Sequence, residues 1–96
     1  MLELIIDAIN KRKEIIFTYS GLNRTAQPAA VGVSTAGNIV LRCFQTKGAH
    51  VTAGHEWDLC RVDQISNLSI TENVFDDDPP NYRKGDRGMQ KIFAEL

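Results

Sequence analysis

The sequence predicts a mainly β fold, a small, strongly bent sheet or barrel of about five antiparallel strands with a helix at each end. Three observations carry this expectation. Runs dense in β-branched and aromatic residues, EIIFTYS (14–20), NIVLRCFQT (38–46) and EWDLCRV (56–62), are joined by turn-like segments, which favours antiparallel neighbours over βαβ units. An amphipathic helical stripe precedes the first run, and a second stripe follows the last.

The N-terminal stripe places Leu2, Ile5, Ile6 and Ile9 on one helical face, with Glu3, Asp7 and Asn10 elsewhere. Acidic residues early and Lys11, Arg12 and Lys13 late suit the helix dipole. A helix this short is marginal alone in water, so the stripe must pack on the sheet. Glu14 to Ser20 forms the first strand and ends at Gly21, a residue that tolerates positive φ in a turn. A polar turn is expected around Asn23 and Arg24, and Pro28 then suits the start or edge of a weaker second strand through Ala30 to Val33. Ser34 to Asn38 is a turn cluster, and 38–46 is the third strand, apolar on both faces except at Arg42.

Lys47 to Gly54 connects to the fourth strand near Trp57, and 63–67 leaves room for a turn or a short helical bend. Leu68 to Thr71 is a short fifth strand. The chain then changes character at DDDPP, so 76–80 reads as a surface linker. Met89, Ile92, Phe93 and Leu96 recur at helical spacing and predict a short C-terminal helix within 85–96. The expected division is therefore 1–75 for the helix and sheet, and 76–96 for the linker and C-terminal helix.

The chain has 96 residues, 43% apolar and 24% charged, which is the size and composition of one ordinary globular domain. No apolar run approaches the roughly 20 residues of a membrane span, and Glu3 and Asp7 stand where a signal peptide would be apolar, so a cytoplasmic location is expected. Cys43 and Cys60 lie in apolar stretches without CxxC spacing and read as buried small hydrophobes. Residues 1–71 carry a net charge of +1 and residues 72–96 a net charge of −2, so nucleic-acid binding would need a local basic patch.

Taken in order, the N-terminal helix, EIIFTYSG, Arg24, Pro28, NIVLRCFQTKG, then DLCRVDQISNLSIT and Phe75 resemble the WYL domain family over most of residues 2–75. The pattern is diffuse: a helix ending in Lys or Arg, an apolar strand ending Tyr-x-Gly, an Arg shortly before a Pro, and the Arg61 to Ile65 run. The resemblance implies a small SH3-like or Sm-like barrel that binds a nucleotide or nucleic-acid ligand. It also implies a setting in bacterial or phage transcription regulation, where such domains usually sit behind a helix-turn-helix. Only one helix precedes the first strand here, so the expectation is a stand-alone WYL-like domain. The family's namesake Trp-Tyr-Leu falls on Ile39, Val40 and Leu41, and a family arginine falls on Gln64, departures that admit a degraded pocket.

Arg24, Arg42 and Arg61 are the candidate ligand-binding residues, because guanidinium groups grip phosphates bidentately while their stems pack on apolar neighbours. Arg42, on an apolar face, must lie at a rim or meet a carboxylate such as Asp58 or Asp63. Surface ion pairing is the competing use of all three. Tyr19 and Trp57 offer stacking surfaces for a base, with core packing as their alternative use. His50 and His55, with Glu56 and Asp58 nearby, do not close a zinc set, and the Asp76 to Asp78 run lacks the spacing of a calcium loop, so neither a metal nor a cofactor is expected. No GxSxG, HExxH, P-loop or dinucleotide fingerprint occurs, and a non-enzymatic role is expected. Two functions follow as expectations: a module sensing a nucleotide or short single-stranded nucleic acid, or an interaction module forming a homo-oligomer or docking on a regulator protein. Neither involves a membrane.

Overall fold

The computed structural model describes residues 1–48 and 54–96. Among them, α1 (Leu2–Lys11) leads into β1 (Lys13–Tyr19), β2 (Leu22–Ser34), β3 (Ile39–Gly48) and β4 (Trp57–Arg61). A short 3-10 turn (Val62–Gln64) precedes β5 (Ser66–Val74), and β6 (Met89–Glu95) ends the chain. All strand pairs are antiparallel, in the order β4-β3-β2-β1-β5, with β6 paired to β2.

The mainly β expectation with an N-terminal helix holds, and three of its details do not. First, strand pairing among the described residues closes no barrel; they form an open sheet of six strands rather than about five. Second, the second strand is not confined to Ala30–Val33. The turn expected at Asn23 and Arg24 falls instead at Ser20 and Gly21, both at positive φ, and Asn23 and Arg24 pair with Thr18 and Phe17. Third, the expected C-terminal helix is β6.

The length of β2 explains how one strand serves so many neighbours. Its early half pairs with β1 up to Ala26, and its late half, from Ala30, pairs with β6, while β3 runs beside both halves. Between the halves lies a bulge, where the register with β3 skips from Pro28 to Ala30. Pro28 has no N–H to offer a ladder, so the bulge sits where pairing is already weakened. The Ala29 carbonyl turns out and accepts the Leu96 N–H at 2.9 Å, which fastens the chain end to the bend.

One core serves every element. Ile5, Ala8 and Ile9 of α1 bury against Ile15, Phe17, Ala26, Val31, Leu41, Cys43, Cys60 and Ile65, and Ala94 and Leu96 of the tail pack on the same cluster. Burying Ile5 and Ile9 alone stabilises by roughly 3–6 kcal/mol, an upper figure for a compact unfolded reference. A smaller cluster of Ala30, Val40, Met89 and Ile92 forms on the other side of the sheet. The helix stops at Arg12, which adopts a left-handed conformation (φ 56°). No helix among the described residues is long and apolar enough to cross a membrane.

Candidate functional site

Alternation along β3 and β4 decides which side chains share a face. Arg42 pairs with Leu59 and Val40 with Arg61, so Arg42 and Arg61 are diagonal neighbours on one face, together with Phe44 and Trp57. Arg24 pairs with Phe17, a core residue, and therefore lies on the opposite face. The three arginines do not converge on one pocket. Each meets a carboxylate: Arg24 with Asp58 at 3.4 Å, Arg42 with Asp86 at 2.7 Å, and Arg61 with Asp63 at 2.8 Å. Asp58 and Asp63, the partners expected for Arg42, serve Arg24 and Arg61 instead.

Arg24 is the most enclosed of the three, its side chain 13% exposed and its guanidinium carbon 5.3 Å from the centre of the Tyr19 ring. Its Nε is buried without a hydrogen-bond partner among the described residues. The Tyr19 hydroxyl accepts the Arg61 backbone N–H at 3.1 Å, joining β1 to the β4 edge that strand pairing leaves open. Tyr19 thus has two structural contacts. Beside them, the Cys43 thiol donates to Cys60. That hydrogen bond and burial push Cys43 well up in pKa, and the same bond draws Cys60 down.

The segment 76–88, which begins with the expected surface linker 76–80, is fastened along its length. Asp78 accepts from Arg12 Nη2 (2.7 Å), and the Pro80 carbonyl accepts the Trp57 indole N–H (2.9 Å). The Tyr82 hydroxyl donates to the Leu96 carbonyl (3.0 Å), and Gly85 N–H donates to the Glu95 carboxylate (3.0 Å). Burial, with Glu95 and Asp78 nearby, raises the Tyr82 pKa. Asp86 takes Arg42 in a two-point ion pair and also accepts the Gly88 N–H at 2.8 Å. Those bonds hold the Asp86 carboxyl below the usual carboxylate range, and the bond to Asp86 raises Arg42.

Between this strap and the outer face of β3 and β4 lies an open cleft of about 470 Å³. Arg42, Trp57, Arg83, Lys84, Asp86 and Arg87 are among its walls. Trp57 is half-buried, braced edge-to-face against Phe44 at 5.4 Å. Arg42 is consumed by Asp86, but Arg83, Lys84 and Arg87 make no ion pair among the described residues. Among the described residues the cleft therefore presents three unpaired cations and two aromatic rings, Trp57 and Tyr82, a combination suited to an anion that carries a flat ring.

Of the sequence candidates, Arg42 and Trp57 line this cleft, while Arg24, Tyr19 and Arg61 do not. His50 lies outside the described residues, so its pairing with His55 does too. The cations at 83, 84 and 87 leave no mark on the summed charge of the tail, because Asp76 to Asp78 cancel them and 72–96 as a whole stays at −2. The signal that marks them is the local run Arg83-Lys84-Gly85-Asp86-Arg87. No family model matches the chain, and no curated protein and no solved structure matches it either.

Proposed function

We propose that this chain is a non-catalytic binding module of WYL-like, SH3-like type whose ligand is a nucleotide or a short single-stranded nucleic acid, bound in the cleft beside Trp57. The observation that supports this reading is the set of cations unpaired among the described residues, Arg83, Lys84 and Arg87, carried on a fastened strap beside the rings of Trp57 and Tyr82. Phosphate is drawn most readily to cations without internal partners, and sequence-tolerant base binding uses an aromatic face. Trp57 is the sole tryptophan, so its emission reports on the cleft alone. Titration with nucleotides and short oligonucleotides at low salt is expected to shift that emission, and replacing Arg83, Lys84 and Arg87 together by Gln is expected to weaken binding at least ~10-fold while flattening the salt slope by about 2 to 3. An unchanged emission with every ligand sinks the proposal.

The second reading, an interaction or self-assembly module, is favoured by a different observation. Arg24, Arg42 and Arg61 are all bound to carboxylates, and Ile16, Leu59, Val74 and Phe93 stand exposed on a sheet with open edges. Light scattering that finds a strict monomer across the micromolar range removes this alternative.

A further inference from the structure

The cleft already contains an anion, and that anion belongs to the chain. Asp86 Oδ2 accepts from Arg42 Nε at 2.7 Å, while Oδ1 accepts from Arg42 Nη2 at 3.2 Å and from the Gly88 N–H at 2.8 Å. The donors come from β3 and from the residue just before β6, so the fold itself gathers them. Two parallel guanidinium bonds plus a backbone N–H form the kind of fork with which arginine grips phosphate as readily as carboxylate. A side chain at Gly88 would press on the Asp86 carboxylate at 3.1 Å and the Arg42 guanidinium at 3.2 Å, so glycine there leaves the seat clear. The Asp86 side chain is 11% exposed and that of Arg42 is 31% exposed, which places the seat within the wall of the cleft and open on one side.

We propose that this seat receives the terminal phosphate of a nucleoside phosphomonoester, which displaces the Asp86 carboxylate from Arg42 and Gly88; the inference rests on the cleft being the ligand site, as read above. Charge decides which phosphate can do so. A phosphodiester is a monoanion with two free oxygens, which equals the carboxylate it would replace and gains nothing in the exchange. A monoester carries about −1.5 to −2 at neutral pH and three free oxygens. It satisfies the same three donors and keeps charge to spare for Arg83, Lys84 and Arg87. Asp86 works as an internal competitor that admits dianions and rejects monoanions, so internal phosphates of a nucleic acid are excluded and phosphorylated ends or free nucleotides are accepted.

The test compares inorganic phosphate, a nucleoside 5′-monophosphate and the matching 3′,5′-cyclic monophosphate on wild type, Asp86→Asn and the double variant Arg42→Gln/Asp86→Asn. Binding is followed by Trp57 emission and by the 15N shifts of Arg42 Nε–H and Gly88 N–H, which report on the seat without any substitution. The 5′-monophosphate is expected to bind wild type at least ~10-fold tighter than the cyclic diester and to move both N–H signals. Asp86→Asn is expected to tighten it about 10-fold, and adding Arg42→Gln is expected to abolish that gain. Equal affinity for monoester and cyclic diester, with neither N–H signal moving, overturns the seat while leaving the cleft as a ligand site. Inorganic phosphate binding as tightly as the nucleotide overturns the assignment to a phosphomonoester. No response from any probe on wild type or Asp86→Asn removes the cleft reading and the seat together.

Discussion

At Gly32 the backbone of β6 lies directly against β2. A Cβ built there meets the Lys91 carbonyl oxygen inside contact distance, with Ile92 Cα at 2.9 Å and Lys91 C at 3.0 Å. All three obstacles are backbone atoms, which cannot rotate away as a side-chain tip can. Gly32→Ala must therefore push β6 off its partner or strain both strands, and overpacking of that kind costs about 1–3 kcal/mol. A loss of ~2 kcal/mol lowers Tm by roughly 8–16 °C in a domain of this size. Urea denaturation measures the stability change, and amide hydrogen exchange localises it: protection should fall in 89–95 and on the β6-facing half of β2, while β1 and the early half of β2 keep theirs. A change below about 0.5 kcal/mol, the ordinary range for a harmless substitution, with unaltered exchange in 89–95 would refute the strand pairing. A C-terminal helix would give that result, since a helix makes no demand on Gly32.

Three further outcomes are expected. Arg12 holds a left-handed conformation while bonding the Phe75 carbonyl (3.0 Å) and Asp78 (2.7 Å), so Arg12→Gly, which loses the bonds but relieves the backbone, should be more stable than Arg12→Ala by about 1 kcal/mol in urea denaturation; equal stabilities would show that the backbone carries no strain. Asp86 is depressed in the folded state, so its contribution is fully present above the unfolded carboxylate value of roughly 4 and is lost as pH falls through the lower folded value. The stability gap between wild type and Asp86→Asn should accordingly stay flat from about pH 7 to 5 and close below about pH 4, and a gap that widens on acidification would contradict the ion pair. Cys43 and Cys60 are both 1% exposed, so neither thiol should react with an aromatic disulfide reagent until the protein is unfolded, and rapid native labelling of either would contradict the packing of β3 on β4.

The strands β1, β3 and β4 were legible because their own residues are strong β-formers bounded by turn chemistry. The early half of β2 was not: Asn23, Arg24, Gln27 and Pro28 have low β-propensity, and the pairing is imposed from both sides by β1 and β3. The tail misleads for a different reason. Met89 and Ile92 share the small outer cluster although three positions separate them, and Ala94 and Leu96 then face the main core. Register shifts between Val31 and Gly32 and between Val33 and Ser34 produce that change of face, and in sequence it imitates the spacing of a helix. The arginines were legible as groups in need of carboxylates, but the choice of carboxylate was not. Asp86 lies 44 positions from Arg42, a separation that only the return of β6 closes.

That return gives the cleft its physical logic. A loop bearing Arg83, Lys84 and Arg87 would, if free, lose about 1–2 kcal/mol of backbone entropy for each residue that a ligand had to order. Here the ordering is done during folding, by bonds to Arg12 after α1, Trp57 of β4, Arg42 of β3, and Glu95 and Leu96 at the chain end. The backbone that carries the cations is thus in place before any anion arrives, so binding energy is not spent on ordering that segment of chain. Arg24, bound to Asp58 away from the cleft, ties β2 to β4 instead, while the exposed pair of Arg61 with Asp63 joins residues two positions apart. The capacity to bind therefore rests on the docking of β6, since the bulge that bends β2 also makes the edge onto which β6 fastens.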